Sequence, residues 1–191
     1  MPRWLLVALL CLVSVLPLSA RAADRPDFLV DADWLAERLK DPKLVLLEVR
    51  YHPHRHATVG HIPGAVQVQR FADLGANDEM PIMRFPSRAA FQATLRRWGI
   101  NDDSTVVVYD DSSTALASRV IYLLDLYGFD AKRVKLLDGG TIGWTGFNEL
   151  TKAPTAPRPP GNVTLKAPPA AAMAGWPEVY RRVVAGREPN I

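Results

Sequence analysis

The sequence predicts an α/β domain between Phe28 and Leu150, built on a mostly parallel sheet with helices on both faces. Two observations carry this prediction. Short apolar runs with the composition of strands alternate along the chain with segments whose apolar residues recur at helical spacing. In addition, the run from Thr105 to Tyr109 has almost no polar residue, which is typical of a central parallel strand covered on both faces.

The first half of this region predicts a helix, a strand, a loop and a second strand. Asp31 can cap a helix from Ala32 to Lys40, and the apolar run from Lys43 to Val49 follows as a strand. A loop rich in His and Pro ends in the residues GHIPGA, 60–65, and the residues VQVQ, 66–69, predict the next strand.

The second half continues the alternation. Ser87 is placed to cap a helix over residues 88–98, in which Phe91, Leu95 and Trp98 recur at helical spacing. The elements expected after it are the strand Thr105 to Tyr109, a helix from Ala115 to Tyr127 that stops at Gly128, the strand Val134 to Leu137, a turn at Asp138-Gly139-Gly140 and a short helix over residues 141–150.

Residues 1–22 have the layout of a secretory signal peptide. Arg3 precedes an apolar run that ends near residue 18, and Ala20-Arg21-Ala22 offers a small-x-small cleavage site. The apolar run is shorter than the roughly 20 residues that span a bilayer. We therefore expect cleavage after Ala22, a domain that begins at residue 23, a periplasmic or secreted protein and no membrane contact after cleavage.

Charge and cysteine content exclude several classes of function. The formal charge of +3 falls to +1 when residues 1–22 are removed, because 21 basic and 20 acidic side chains then remain. That balance does not favour nucleic acid as a partner. The single cysteine, Cys11, lies in the predicted signal peptide. Residues 23–191 therefore have no thiol for a disulfide, a nucleophile or a metal ligand.

Four segments together resemble the rhodanese-type sulfurtransferase family. They are LLEVR at residues 46–50, GHIPGA at 60–65, VVVYDDSSTALASR at 106–119 and VKLLDGGTIGW at 134–144, in the family's order. The resemblance covers residues 28–150 and implies a parallel sheet flanked by helices, with the active loop after the central strand. The resemblance is greatest to the first domain of the two-domain, or tandem, members, which act on thiosulfate or 3-mercaptopyruvate. That first domain lacks the catalytic cysteine.

The resemblance also suggests how the rest of the chain is organised. Residues 151–170 contain six prolines and predict an extended linker, as is usual between the two halves of tandem members. Residues 171–191 predict an amphipathic helix that resembles the start of a truncated second rhodanese domain. The resemblance therefore implies a second rhodanese domain as the partner, which is either continuous with this chain or missing. A sulfur donor or acceptor would act only through that domain.

The expected active loop departs from a working one. Asp110 occupies the position of the persulfide-forming cysteine, and Ala115 falls where an arginine can stand, so the resemblance implies no catalytic residue here. The active-site-like loop comprises Asp110, Asp111, Ser112, Ser113 and Thr114. Its two carboxylates lie near a helix N-terminus, where they can cap unpaired N–H groups. Alternatives are an anion-filled pocket, a partner-docking loop or, less favoured, acid-base hydrolysis.

All four histidines fall within the residues HPHRHATVGH, 52–61. His52, His54 and His56 alternate, so an extended backbone would place their imidazoles on one side and allow a Zn, Cu or Ni site. A solvated polar loop without a cofactor is the competing interpretation. His61 belongs to the GHIPGA motif, and we expect it to have a hydrogen-bonded structural role.

Two hypotheses of different classes follow. In the first, the chain is a rhodanese-homology domain that is inactive alone and forms the structural half of a two-domain sulfurtransferase. In the second, it is a non-enzymatic periplasmic binding module, which engages a partner protein through the loop at 110–114 or a metal through His52, His54 and His56. Sulfur transfer by the isolated chain and metal titration distinguish the two.

Overall fold

The computed structural model describes residues 27–76, 84–170 and 172–185. Its core is a five-stranded sheet in which every pairing is parallel and the strand order is β1-β5-β4-β2-β3. The predicted α/β class is therefore confirmed. The strands are β1, Leu29–Val30; β2, Leu44–Val49; β3, Val66–Val68; β4, Thr105–Asp110; and β5, Val134–Leu137.

The described part of the chain contains seven α-helices. A 3₁₀ turn, Ala131–Arg133, precedes β5. The helices are α1, Ala32–Ala36; α2, Arg55–Thr58; α3, Arg70–Leu74; α4, Arg88–Arg97; α5, Ala117–Leu126; α6, Gly140–Thr145; and α7, Trp176–Val184.

Successive side chains of the central strands point to opposite faces, and each face has its own apolar core. From β2, Val45, Leu47 and Val49 join the core beneath α4 and α5. Leu44 and Leu46 join the core on the other face, which contains residues of α1 and α6. Both faces of β2 and β4 are thus covered, which explains why their sequences are almost uniformly apolar.

Several helix bounds differ from the predicted ones. The Asp31 and Ser87 side chains cap α1 and α4 as expected, accepting from the backbone N–H groups of Trp34 and Ala90. However, α1 ends four residues earlier than predicted, and the last helix of the domain, α6, ends at Thr145. Helix α5 begins at Ala117 rather than Ala115, because the residues before it wrap around the end of β4.

The proline-rich segment packs against the domain. Residues 152–169 contain neither helix nor strand, consistent with their prolines, yet Val163 and Leu165 are buried in the core beneath α4 and α5. The backbone of Thr151 also forms an antiparallel bridge with His61. Residues 151–165 therefore contribute to the stability of the domain in addition to connecting it to α7.

Residues 1–26, which include the predicted signal peptide, lie outside the described residues. Among the helices that the structure does describe, none combines the length and the apolar character needed to cross a membrane. The expected C-terminal helix is present as α7, and its Val183 and Val184 side chains are exposed.

Candidate functional site

The candidate site lies at the carboxyl edge of the sheet, where β2, β4 and β5 end side by side. Val49 and Asp110 are register partners on β2 and β4, so the residues that follow these two strands become neighbours. The turn after β5 brings Gly140 against the end of β4 from the other side. Since β4 is the central strand, its C-terminal loop is enclosed between these two neighbours.

The Asp110 carboxylate occupies the centre of this loop. Its Oδ1 accepts hydrogen bonds from the backbone N–H groups of Ser112 and Thr114 at 3.0 and 2.9 Å. Its Oδ2 accepts from the N–H groups of Leu116 and Ala117 at 2.8 and 2.9 Å. The residue is only 3% exposed. One buried carboxylate therefore satisfies four backbone donors, including those at the start of α5.

Left-handed backbone at two positions shapes the loop around the carboxylate. Ser113 and Thr114 have φ values of 55° and 69°, which are unfavourable for residues other than glycine. This conformation turns the chain so that the N–H group of Thr114 meets the Asp110 carboxylate. The hydrogen bonds to the carboxylate offset the local strain, which is of order 1–3 kcal/mol per residue.

The arrangement leaves Asp110 without free acceptor capacity. An ionised carboxylate has about four lone-pair sites, and four N–H groups already use them. Nor can an aspartate carry a sulfane sulfur, because that step needs a thiolate that forms and breaks an S–S bond. The loop is thus an anion cradle filled by its own side chain.

Asp111 faces β2 and is held there by cations. Its Oδ2 accepts a hydrogen bond from Arg55 Nη1 at 3.0 Å and lies 3.7 Å from Arg50 Nη1. Its Oδ1 accepts from the backbone N–H of Tyr51 at 3.3 Å. No cation lies at Ala115, so positive charge reaches this loop from the segment after β2 instead.

A buried polar network continues from Asp111 beneath the sheet edge. Arg50 is 2% exposed, and its Nε lies 2.9 Å from Glu48 Oε1. Tyr109, the register partner of Glu48 on β4, donates its hydroxyl to the same oxygen at 2.8 Å. Glu48 Oε2 contacts His56 Nδ1 at 2.5 Å. These contacts connect the ends of β2 and β4 to α2.

The network sets the protonation states of its buried members. Burial alone would raise the pKa of Glu48, but the His56 hydrogen bond, the Arg50 charge and the Tyr109 hydroxyl together lower it below its ordinary value. Burial, and then the Glu48 charge, raise the pKa of Tyr109 well above its ordinary value. Glu48 is therefore a carboxylate and Tyr109 a neutral phenol that donates to it.

The histidines do not adopt the arrangement that the alternating pattern suggested. The backbone around His52, His54 and His56 is not extended, because His54 has helical dihedrals and directly precedes α2. His56 contacts Glu48, whereas the rings of His52 and His54 lie 5.7 Å from each other. Within the described residues, no group of three or more His, Cys, Asp and Glu is placed to hold a metal ion.

His61 has the hydrogen-bonded role that its motif predicts. Its Nδ1 donates to the carbonyl of His56 at 3.0 Å, and its Nε2 lies 3.2 Å from Thr155 Oγ1. The ring stacks on that of His56, with centroids 3.7 Å apart and planes 6° from parallel. Thr155 also donates to the carbonyl of Ala65 at 2.8 Å. His61 thus ties the proline-rich segment to the domain.

Sequence reasoning did not predict the polar residues that flank the Asp110 loop. Glu48, Arg50 and Tyr109 lie within or next to strands and Arg55 begins α2, and no spacing indicated that they would meet. One signal was available, since Glu48 and Arg50 interrupt or end an otherwise apolar run. A charged residue in a strand buried on both faces requires a partner, and the neighbouring strands are where it must be found.

The chain shares its sequence and its fold with known proteins. The rhodanese-like domain family matches residues 31–146, which is more than half of the chain. The chain belongs to the rhodanese-like domain family. This rhodanese-like domain is similar to the thiosulfate sulfurtransferase of Corynebacterium glutamicum, with 38% identity over 120 residues that cover 62% of this chain and 38% of the relative.

Two further similarities agree with that assignment. The sulfur carrier protein TtuD of Thermus thermophilus is 35% identical over 135 residues, which cover 69% of this chain and 45% of the relative. The crystal structure of SseA, a 3-mercaptopyruvate sulfurtransferase from Escherichia coli, superposes with a TM-score of 0.70 at 26% identity, over 83% of this chain and 62% of that one. The rhodanese-like chain spans about half the length of the curated relatives it matches.

Proposed function

We propose that this rhodanese-like domain does not transfer sulfur itself and is the structural half of a two-domain sulfurtransferase. A second rhodanese domain bearing a cysteine supplies the nucleophile, in the same chain or in another. The donor is a small sulfur compound of the thiosulfate or 3-mercaptopyruvate type, as the names of the similar proteins suggest. The proposal includes a periplasmic or secreted location, which rests on the apolar residues 1–22.

The observation that carries the proposal is the saturation of Asp110. In a sulfur-transferring loop, the backbone N–H groups after the central strand stabilise the anionic sulfur of a persulfide. Here the corresponding N–H groups donate to the protein's own carboxylate, at distances of 2.8 to 3.0 Å. The domain keeps the loop after the central strand but lacks the cysteine sulfur that would react.

The surroundings of the loop support a scaffolding role. Arg50 and Arg55 anchor Asp111 to the end of β2, and Gly140 fixes the turn after β5 against β4. These contacts make the carboxyl edge of the sheet a rigid surface. A rigid wall beside another domain's loop excludes water from the persulfide and orients a small anionic donor.

Sulfur transfer from thiosulfate to cyanide tests the inactive part of the proposal. The protein that begins at residue 23 should give thiocyanate at the rate of a protein-free blank, because it has no cysteine whose thiolate can attack the S–S bond of thiosulfate. Turnover above the blank would overturn the proposal. A matched pair of variants, Asp110→Cys and Asp110→Ser, extends the test to the loop at residues 110–114.

The two variants test whether the backbone of the loop can hold a persulfide once a nucleophile is supplied. After incubation with thiosulfate, Asp110→Cys should gain one sulfur atom by intact mass, as sulfite leaves and a persulfide forms. Asp110→Ser should gain none. Turnover of Asp110→Cys should be slow, because Ala115 provides no flanking cation. A folded Asp110→Cys protein that gains no sulfur would show that the loop does not have the geometry of a persulfide cradle.

A further inference from the structure

A cleft of about 360 Å³ lies between residues 152–158 and the edge strand β3. Its walls include Thr155 and Gln67, and none of residues 110–117 lines it. It is therefore distinct from the Asp110 loop. Five of its lining side chains are basic and none is acidic: His56, His61, Arg97, Lys152 and Arg158.

Most of these basic groups already have partners. Arg97 pairs with Asp73, and Arg158 donates to the carbonyl of Pro42 at 2.8 Å. Lys152 is exposed and makes no hydrogen bond or ion pair within the described part of the chain. Its ammonium group is thus the uncommitted charge of the cleft, and the paired arginines add to the positive potential around it.

His56 offers a second uncommitted group. Its Nδ1 is held by the buried Glu48 carboxylate, which fixes the Nδ1 proton and the plane of the ring. Stacking on His61, at a centroid distance of 3.7 Å, holds the other side of the ring. The remaining nitrogen, Nε2, makes no hydrogen bond to the described residues. It is the ring nitrogen that a ligand in the cleft can use.

We propose that this cleft binds a small oxyanion, a molecule that carries a phosphate group. Lys152 supplies the charge, and His56 Nε2 accepts a hydrogen bond from a protonated ligand oxygen such as that of hydrogen phosphate. The volume lies within the range of about 300–1,000 Å³ that is usual for small-molecule sites. The five basic side chains and the absence of an acidic one from the lining favour anions over cations.

Titration of the intact protein with inorganic phosphate, followed by ¹H–¹⁵N NMR, tests this proposal. The backbone signals of Ala57, Val66 and Thr155 should shift and saturate, with a Kd of about 1 mM or tighter. The imidazole Nε2 signal of His56 should shift with the same Kd, which a purely structural histidine would not show.

Matched lysine variants separate a site from general attraction by charge. Lys152→Gln should weaken phosphate binding by on the order of fivefold or more, while Lys40→Gln, which removes an exposed lysine outside the cleft, should leave the Kd within about twofold. Three results would overturn the proposal: no saturable shift up to about 50 mM phosphate, equal weakening by both variants, or shifts confined to residues 110–117. The test is independent of sulfur transfer.

Discussion

A Cβ atom on Gly140 would lie 2.4 Å from the backbone carbonyl oxygen of Asp110, so the turn after β5 can approach the end of β4 only because residue 140 lacks a side chain. Gly140 also has a φ of 52°, in the left-handed region. Thr141 completes the contact by donating its hydroxyl to the same carbonyl at 3.2 Å. This contact fixes the Asp110 loop on one side.

Gly140→Ala should therefore destabilise the domain. The methyl group collides with backbone rather than with a movable side chain, and the left-handed φ adds strain, so we expect a loss of about 2–4 kcal/mol in the free energy of unfolding. Chemical denaturation measures it. Gly146→Ala is the control, because φ there is −61° and the nearest atom lies 3.7 Å from the added carbon. Similar losses in both variants would contradict the role of Gly140.

The two arginines that contact Asp111 should differ in their contribution to stability. Arg50 is buried beside Glu48, so Arg50→Met removes the cation next to this buried carboxylate and should cost about 3–5 kcal/mol. The Arg55 side chain is 43% exposed, and Arg55→Met should cost no more than about 1 kcal/mol. Equal costs in urea denaturation would show that the Glu48 network does not depend on Arg50.

The lowered pKa of Glu48 predicts a loss of stability in acid. A carboxyl group whose pKa is lower in the folded state stabilises the protein above its ordinary value of 4.5, and this contribution disappears as pH falls through the folded pKa. Glu48→Gln should reduce the slope of unfolding free energy against pH between about pH 6 and pH 3. A slope identical to that of the unaltered protein would rule out this role.

Asp103 is the control for that measurement. Its pKa is also lowered, through a hydrogen bond and the charge of Lys43, but the pair is exposed at the surface. The contribution of Asp103 to the pH dependence of the unfolding free energy should become small in about 0.5 M salt, because salt screens exposed charges. The share that belongs to Glu48 should persist, since Arg50, His56 and Tyr109 surround it away from water.

The packing of the proline-rich segment makes a fourth prediction. Leu165 is 3% exposed and belongs to the core beneath α4 and α5, so Leu165→Ala should cost about 2–4 kcal/mol. Val183→Ala on α7, where the side chain is 71% exposed, should change the unfolding free energy by less than about 0.5 kcal/mol. Thermal or chemical unfolding measures both changes. An unchanged unfolding free energy in Leu165→Ala would show that the segment is not part of the folding unit.

The sequence predicted the elements whose signals are local. Mostly apolar runs indicated β2, β4 and β5, and the capping residues Asp31 and Ser87 marked the starts of α1 and α4. Short elements such as β1 and α3 escaped prediction, because their few residues provide no measurable periodicity.

The candidate site was predictable only in part. That Asp110 ends a central strand and precedes a helix could be inferred, since both neighbours have strong patterns. The register that places Glu48 opposite Tyr109, and Val49 opposite Asp110, depends on how the strands pair. The local helix α2 also overrode the alternating pattern of His52, His54 and His56, because a pattern of three residues cannot specify an extended backbone.

The hydrogen exchange of four backbone amides tests the central claim most directly. If the Asp110 carboxylate fills the cradle, the amides of Ser112, Thr114, Leu116 and Ala117 should exchange slowly. In Asp110→Ala they should exchange at least about tenfold faster, relative to amides in the centre of β2. Asp125→Asn, an exposed change on α5, should leave them protected. Fast exchange in the unaltered protein, or protection that survives in Asp110→Ala, would contradict the account.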